Sequence, residues 1–168
     1  MSKFVIREDD TKFDEQPIAC LNTEIESKDL LDSQDCVISI RYNEIDLGKS
    51  GYGFDQPFVG DEANMYFERM NVFSKMTINK IIDEGLNSWH FHRTDIKGNV
   101  KKAFDKIDPK IAKANPLIYH FALNPDCQTE ANREAGTRNP RIYFMVGYNG
   151  TIHPIFFDPY HELNPMVK

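Results

Sequence analysis

The chain has 168 residues, 40% of them hydrophobic, and a formal net charge of −6, which suits one compact domain able to bury a core. No apolar run approaches the ~18 residues of a membrane-spanning helix, and the acidic balance excludes a uniformly basic nucleic-acid binder. Cys20, Cys36 and Cys127 form no CxxC pair, so neither a disulfide framework nor a zinc knuckle is indicated.

Residues 1–35 are acid-rich and weakly periodic, with "FVI" (4–6) and "IACL" (18–21) as short strand candidates and "SKDLLDS" (27–33) as a helical turn. They are expected to form an acidic N-terminal extension to a domain over 36–168. The opening "MSKFVIREDD" turns acidic too early for a signal peptide, so a cytoplasmic protein is expected. "CVISIRYNEIDL" (36–47) reads as a strand, and the glycine-rich stretch 48–60 reads as a loop.

Asp61 is a plausible N-cap for a helix over 62–73 whose Met65, Tyr66, Met70 and Phe73 share one face. A second helix is expected over roughly 76–84, capped at its start by Ser74 or Thr77 and at its end by Gly85. "SWHFHRTDIKGNVKKAFDKIDPKIAKANP" (88–116) reads as a basic, mostly irregular linker with one helical turn around "KKAFDKI". "LIYHFALN" (117–124) alternates as a strand, and 125–140 reads as a long polar loop.

The clearest signal is "RIYFMVGYNGTIHPIFFD" (141–158), where Asn149-Gly150 between apolar runs predicts a two-residue type I′ hairpin. That register opposes Val146 to His153, Phe144 to Ile155, Ile142 to Phe157 and Arg141 to Asp158. It assigns Ile142, Phe144, Val146, His153, Ile155 and Phe157 to a helix-packed core. It leaves Arg141, Tyr143, Met145, Ile152, Phe156 and Asp158 on an open face. Pro154, lacking an N–H, is expected at an edge or a bulge. Charge is uneven along the chain. Residues 1–88 carry 9 Lys/Arg against 18 Asp/Glu, a net of −9, and residues 89–168 carry 11 against 8, a net of +3. The C-terminal half therefore permits an anionic partner.

The order of these elements, with "ISIRYNEIDL" (38–47), "MNVFSKMTINKIID" (70–83), "HFHRTDI" (90–96), "RIYFMVGYNGTIHPIFF" (141–157) and "DPYHELNP" (158–165), resembles the RelE/ParE superfamily of small bacterial toxins. It looks closest to a family of phage and mobile-element proteins with that expected fold. The resemblance implies an α+β fold with a helical pair on one face of a twisted antiparallel sheet and a concave basic surface on the other. It also implies messenger RNA cleavage without a metal or other cofactor, ribosome-dependent in some members, with RNA or the ribosome as partner. Attack by a 2′-hydroxyl needs a base, an acid for the 5′ oxygen and positive charge at the phosphorane.

His90, His92, Arg141 and His161 are the catalytic candidates. Two histidines at a spacing of two on an extended segment point the same way and suit the roles of acid and base near neutral pH; Arg141 and His161 match an arginine and a histidine of the family pattern. Arg93, Lys97, Lys101, Lys102 and Tyr143 are candidate RNA contacts. Asp158 is expected as a structural clasp, capping backbone N–H groups of the turn that Pro159 enforces. His153 and His120 are expected to be buried, satisfied core histidines.

The acidic extension departs from compact basic toxins and supports a rival reading. This is a non-catalytic phage or mobile-element protein that binds a host defence protein, or an antitoxin-like partner. Exposed strand edges also permit a homodimer.

Overall fold

The computed structural model describes residues 36–124 and 137–165. The expected extension over 1–35, Cys20, Cys127 and most of the loop over 125–140 lie outside the described residues. The chain is α+β. Five strands, β1 (Ser39–Ile40), β2 (His92–Thr94), β3 (Ile118–Ala122), β4 (Arg141–Val146) and β5 (Thr151–Asp158), form one sheet in the order β1-β5-β4-β3-β2. The β2-β3-β4-β5 run is antiparallel, as expected, but β1 joins β5 in parallel, so the sheet is mixed.

Helices α1 (Glu62–Phe73) and α2 (Ile78–Ser88) cover one face. Tyr66, Met70 and Phe73 of α1 and Ile78 and Ile81 of α2 pack against Tyr119, Phe121, Ile142, Phe144 and Phe157. Thr77 opens α2 by accepting from the Lys80 N–H at 3.1 Å. Gly85 lies inside this helix rather than capping it, because the apolar positions at Ile78, Ile81 and Ile82 already hold it against the sheet. Asp61 stands at the N-cap of α1 without capping it: its carboxylate accepts from the Asn64 side chain at 2.6 Å.

The opposite face is closed as well, which corrects the expectation of an open surface. The stretch expected to be an irregular linker contains β2 and two helices, α3 (Gly98–Ile107) and α4 (Pro109–Ala114). Val100, Ala103 and Phe104 of α3 and Ile111 of α4 pack on Ile118, Tyr143, Met145, Ile155 and Phe156 of the sheet. Asp108 joins the two helices, its side chain accepting from the Lys110 N–H at 2.8 Å, with Pro109 at the first helical position.

The expected strand over 36–47 shrinks to two paired residues. Beyond Ile40 the chain turns, and buried Asp46 gathers the loop by accepting from the N–H groups of Lys49 (2.9 Å) and Ser50 (3.0 Å). Gly53 in this loop is obligatory on space alone: a Cβ there would stand 2.5 Å from Gly48 N and 2.8 Å from Asp46 O.

The β4–β5 hairpin turns at Asn149-Gly150 with φ of 52° and 69°, as a type I′ turn requires. The pairs Arg141–Asp158 and Ile142–Phe157 stand as expected, but Phe144 faces Pro154 and Met145 faces His153. Two irregularities offset one another. Tyr148 is the extra residue beside the turn, where the Gly147 N–H donates to Thr151 O, and Ile155 is the extra residue beside Pro154. Pro154 therefore sits at a bulge, where its missing N–H is tolerated. The shift moves Ile155 and His153 off the α1/α2 face and brings Ile152 onto it. His153 is half-buried instead of a core residue, and its Nδ1 lies 3.0 Å from Asn43 Oδ1.

Candidate functional site

Four of the five histidines in the chain gather with one arginine where β2, β3 and β4 meet the turn after β5. His92, His120 and Tyr143 stand side by side on adjacent strands. All three side chains therefore point to the α3/α4 face of the sheet. Arg141 occupies the same face two residues from Tyr143. His90 leads into β2, and the turn after Pro159 returns His161 over β3.

His120 is the centre of the group. Its ring lies 4.9 Å from Tyr143, 5.7 Å from His92 and 5.6 Å from His161, measured between ring centroids. Its Nδ1 is 2.6 Å from Thr94 Oγ1, so that hydrogen bond fixes the ring. Burial pushes the His120 pKa well below its ordinary value, and the neighbouring His161, Arg141, His92 and His90 push it the same way. The His92 pKa is lowered too, by desolvation first and then by His90 and Arg141. Both rings are thus held toward the neutral form. His92 is exposed and His90 half-exposed, whereas His120, Arg141 and His161 are buried beneath them. The group runs from the surface inward.

Two of its members are backbone outliers. His90 and His161 adopt φ of 49° and 56°, in the left-handed region. The other non-glycine residues there among those described are asparagines: Asn115 ends α4 and Asn149 sits in the hairpin turn. A left-handed residue outside such roles costs on the order of 1–3 kcal/mol and concentrates at functional sites.

Arg141 is held by short local contacts. Its Nη1 donates to Asn139 Oδ1 at 2.7 Å and to Pro140 O at 3.4 Å. The backbone around it is anchored from three directions. Asn139 N–H donates to Pro159 O at 2.8 Å, and Leu123 N–H donates to Pro140 O at 3.1 Å. Arg138 grips Glu62 through Nε at 2.5 Å and Nη2 at 2.7 Å, tying this segment to the first turn of α1.

Asp158 lies opposite Arg141 in the ladder but forms no ion pair with it. Its two oxygens clasp the turn after β5, accepting from Leu163 N–H at 2.7 Å and Tyr160 N–H at 3.3 Å. Burial raises its pKa, and these backbone donors hold it back.

The structure brings the four catalytic candidates His90, His92, Arg141 and His161 together. It adds His120 and Thr94, which sequence reasoning did not place in a site. The RNA-contact candidates separate. Tyr143 is wholly buried under α3 and α4, so it supports the His120 ring rather than facing solvent. Arg93 pairs with Tyr119 and therefore points to the opposite face. Lys97, Lys101 and Lys102 are exposed around α3, outside the histidine group, with Lys97 paired to Asp95 at 3.1 Å and Lys101 to Asp105 at 2.6 Å.

Among the described residues, no group of three or more His, Cys, Asp or Glu side chains is placed to share a metal ion, and no helix is long and apolar enough to cross a membrane. No known protein family, curated protein or solved structure shows significant similarity to this chain.

Proposed function

We propose that this is a toxin-like, RNA-directed cytoplasmic protein whose histidine–arginine group cleaves a phosphodiester without a metal. The observation that carries this reading is the convergence of His90, His92, His120, His161 and Arg141 on one end of the sheet. Cleavage by 2′-hydroxyl attack needs a neutral imidazole to take the hydroxyl proton, a protonated group for the leaving 5′ oxygen and fixed positive charge at the phosphorane. His92 is the base: it is exposed, and its environment favours the neutral form. Arg141 supplies the fixed charge. His90, beside His92 at the surface, is the acid. His120, held by Thr94 and Tyr143, positions His92 and His161.

Inducible expression in a bacterial host, with growth and messenger RNA integrity read together, tests the reading. Growth arrest with cleaved transcripts is expected, and His92→Gln should abolish both. Healthy growth with intact RNA from the wild-type chain would overturn it.

The exposed apolar side chains of Val59, Phe67 and Val72, on and beside α1, favour a second reading as a non-catalytic binder of a host defence protein or an antitoxin-like partner. Recovery of one stoichiometric protein partner, dependent on Phe67, together with intact transcripts would select it.

A further inference from the structure

Asn139 and Arg141 present two buried donors that nothing among the described residues accepts. Arg141 Nε and Asn139 Nδ2 are both buried without a hydrogen-bond partner, in residues 5% and 2% exposed. The orientation of the Asn139 amide is not arbitrary. A guanidinium only donates, so the atom receiving Arg141 Nη1 at 2.7 Å must be the amide oxygen, and Nδ2 carries both of its protons elsewhere. Buried donors left unmet are rare and call for an explanation.

Charge sharpens the point. Among the described residues no carboxylate pairs with Arg141: Asp158, its ladder partner, gives its two oxygens to Tyr160 and Leu163 N–H groups. The other groups acting electrostatically around His120 are histidines, which supply no negative charge. A buried guanidinium without a counter-charge is costly. A water molecule would satisfy the donors but leave the charge uncompensated. An oxyanion does both.

We propose that Asn139 Nδ2 and Arg141 Nε form the seat of a phosphate group, beside the histidine group that contains His92 and His120. The seat rests on the proposed RNA reading for its biological ligand, a phosphodiester, but free phosphate would engage the same donors. Three backbone and side-chain anchors hold the seat in advance: Asn139 to Pro159, Pro140 to Leu123 and Arg138 to Glu62. Rigid placement of donors lets an anion bind with little ordering cost.

The test uses the full chain and its thermal unfolding midpoint, titrated with inorganic phosphate at constant ionic strength against chloride. Phosphate should raise the midpoint saturably by several degrees, as a ligand of the native state does. Asn139→Asp keeps the acceptor for Arg141 and supplies the missing negative charge. It should raise the midpoint in the absence of phosphate and erase the phosphate response. Asn139→Ala should weaken the response without the rise. A wild-type midpoint that responds no more to phosphate than to chloride, or an Asn139→Asp chain less stable than wild type without phosphate, would overturn the seat. A 2′-O-methyl RNA oligonucleotide, which cannot be cleaved, separates the ligand sources. Competition with phosphate supports the phosphodiester. Phosphate binding without competition keeps the seat and overturns the RNA reading.

Discussion

The two faces of the sheet are both covered by helices, but with different chemistry. Beneath α1 and α2 the contact is almost wholly apolar: Phe73 meets Trp89, Phe91, Phe121 and Phe144 with ring centroids 5.0–6.3 Å apart. Beneath α3 and α4 the apolar cluster of Val100, Phe104, Ile111, Ile118, Met145 and Phe156 shares the face with His120, Arg141 and Asp158, with His161 over it. Among the described residues Arg141 has no counter-charge, and folding gains nothing from burying such an arginine where a leucine would pack. The first face therefore carries stability, and the second accepts a cost that a bound anion would offset.

The largest expected effect is on the first face. Phe73→Ala removes a fully buried ring from the centre of the aromatic cluster and should lower unfolding free energy by ~3–5 kcal/mol. Denaturant unfolding measures it, and a loss below ~1 kcal/mol would show that α1 contributes little to the fold. On the second face, Asp158→Asn should cost ~1–3 kcal/mol. The amide keeps one acceptor oxygen but turns an NH2 group toward the N–H donors of the turn. The midpoint of thermal unfolding reads this loss. An unchanged midpoint would mean that the turn carrying His161 holds its shape without the clasp.

These contrasts also mark how much the sequence disclosed. The α1/α2 face was legible, because Tyr66, Met70 and Phe73 recur at helical spacing and the Asn-Gly turn pins the hairpin. The other face was not. Val100, Ala103, Phe104, Ile107 and Ile111 recur at spacings of three, one, three and four, which is a helical stripe. It was obscured by the four lysines interleaved with it, Lys101, Lys102, Lys106 and Lys110. With both faces covered, β3 is buried at every position, so alternation along it could not tell a core histidine from a site histidine. His90, His92, Arg141 and His161 were legible as polar residues at the ends of apolar runs. Asn139 was not, because a polar residue in a polar loop carries no signal until the fold buries it. The bulge at Ile155 left only Pro154 as a trace, and it decided which way His153 points.

Acid should discriminate the two faces. His120 stays neutral in the fold and takes a proton in the unfolded chain as pH falls below its ordinary value of 6.5. A pKa depressed on folding contributes stability above the unfolded value and loses it as pH falls from there toward the folded one. Wild-type stability should therefore decline below about pH 6.5, by up to about 1.4 kcal/mol per pH unit from this residue alone. Asp158, with its raised pKa, acts in the opposite sense and over the carboxylate range. His120→Asn, whose amide can still reach Thr94, should flatten the decline. A pH profile identical to wild type would place the acid sensitivity elsewhere.

The smallest expected effect lies on α3, where both kinds of residue occur within one helix. Phe104 is fully buried against Phe156 at 5.0 Å, and Lys101, three residues earlier, points to solvent with its ammonium 2.6 Å from Asp105. An exposed i,i+4 pair is worth at most about 0.5 kcal/mol, and salt screens it. Lys101→Ala should therefore leave the unfolding midpoint nearly unchanged. Its value is as a probe of range. The lysines of α3 stand outside the histidine group, so any phosphates they meet belong to RNA extending beyond the seat. Removal of Lys101 should weaken the binding of a long RNA modestly and reduce its salt dependence, while leaving the response to inorganic phosphate intact. Equal losses for both ligands would mean that the helix lysines and the buried arginine serve one site, and that α3 moves toward it when an anion binds.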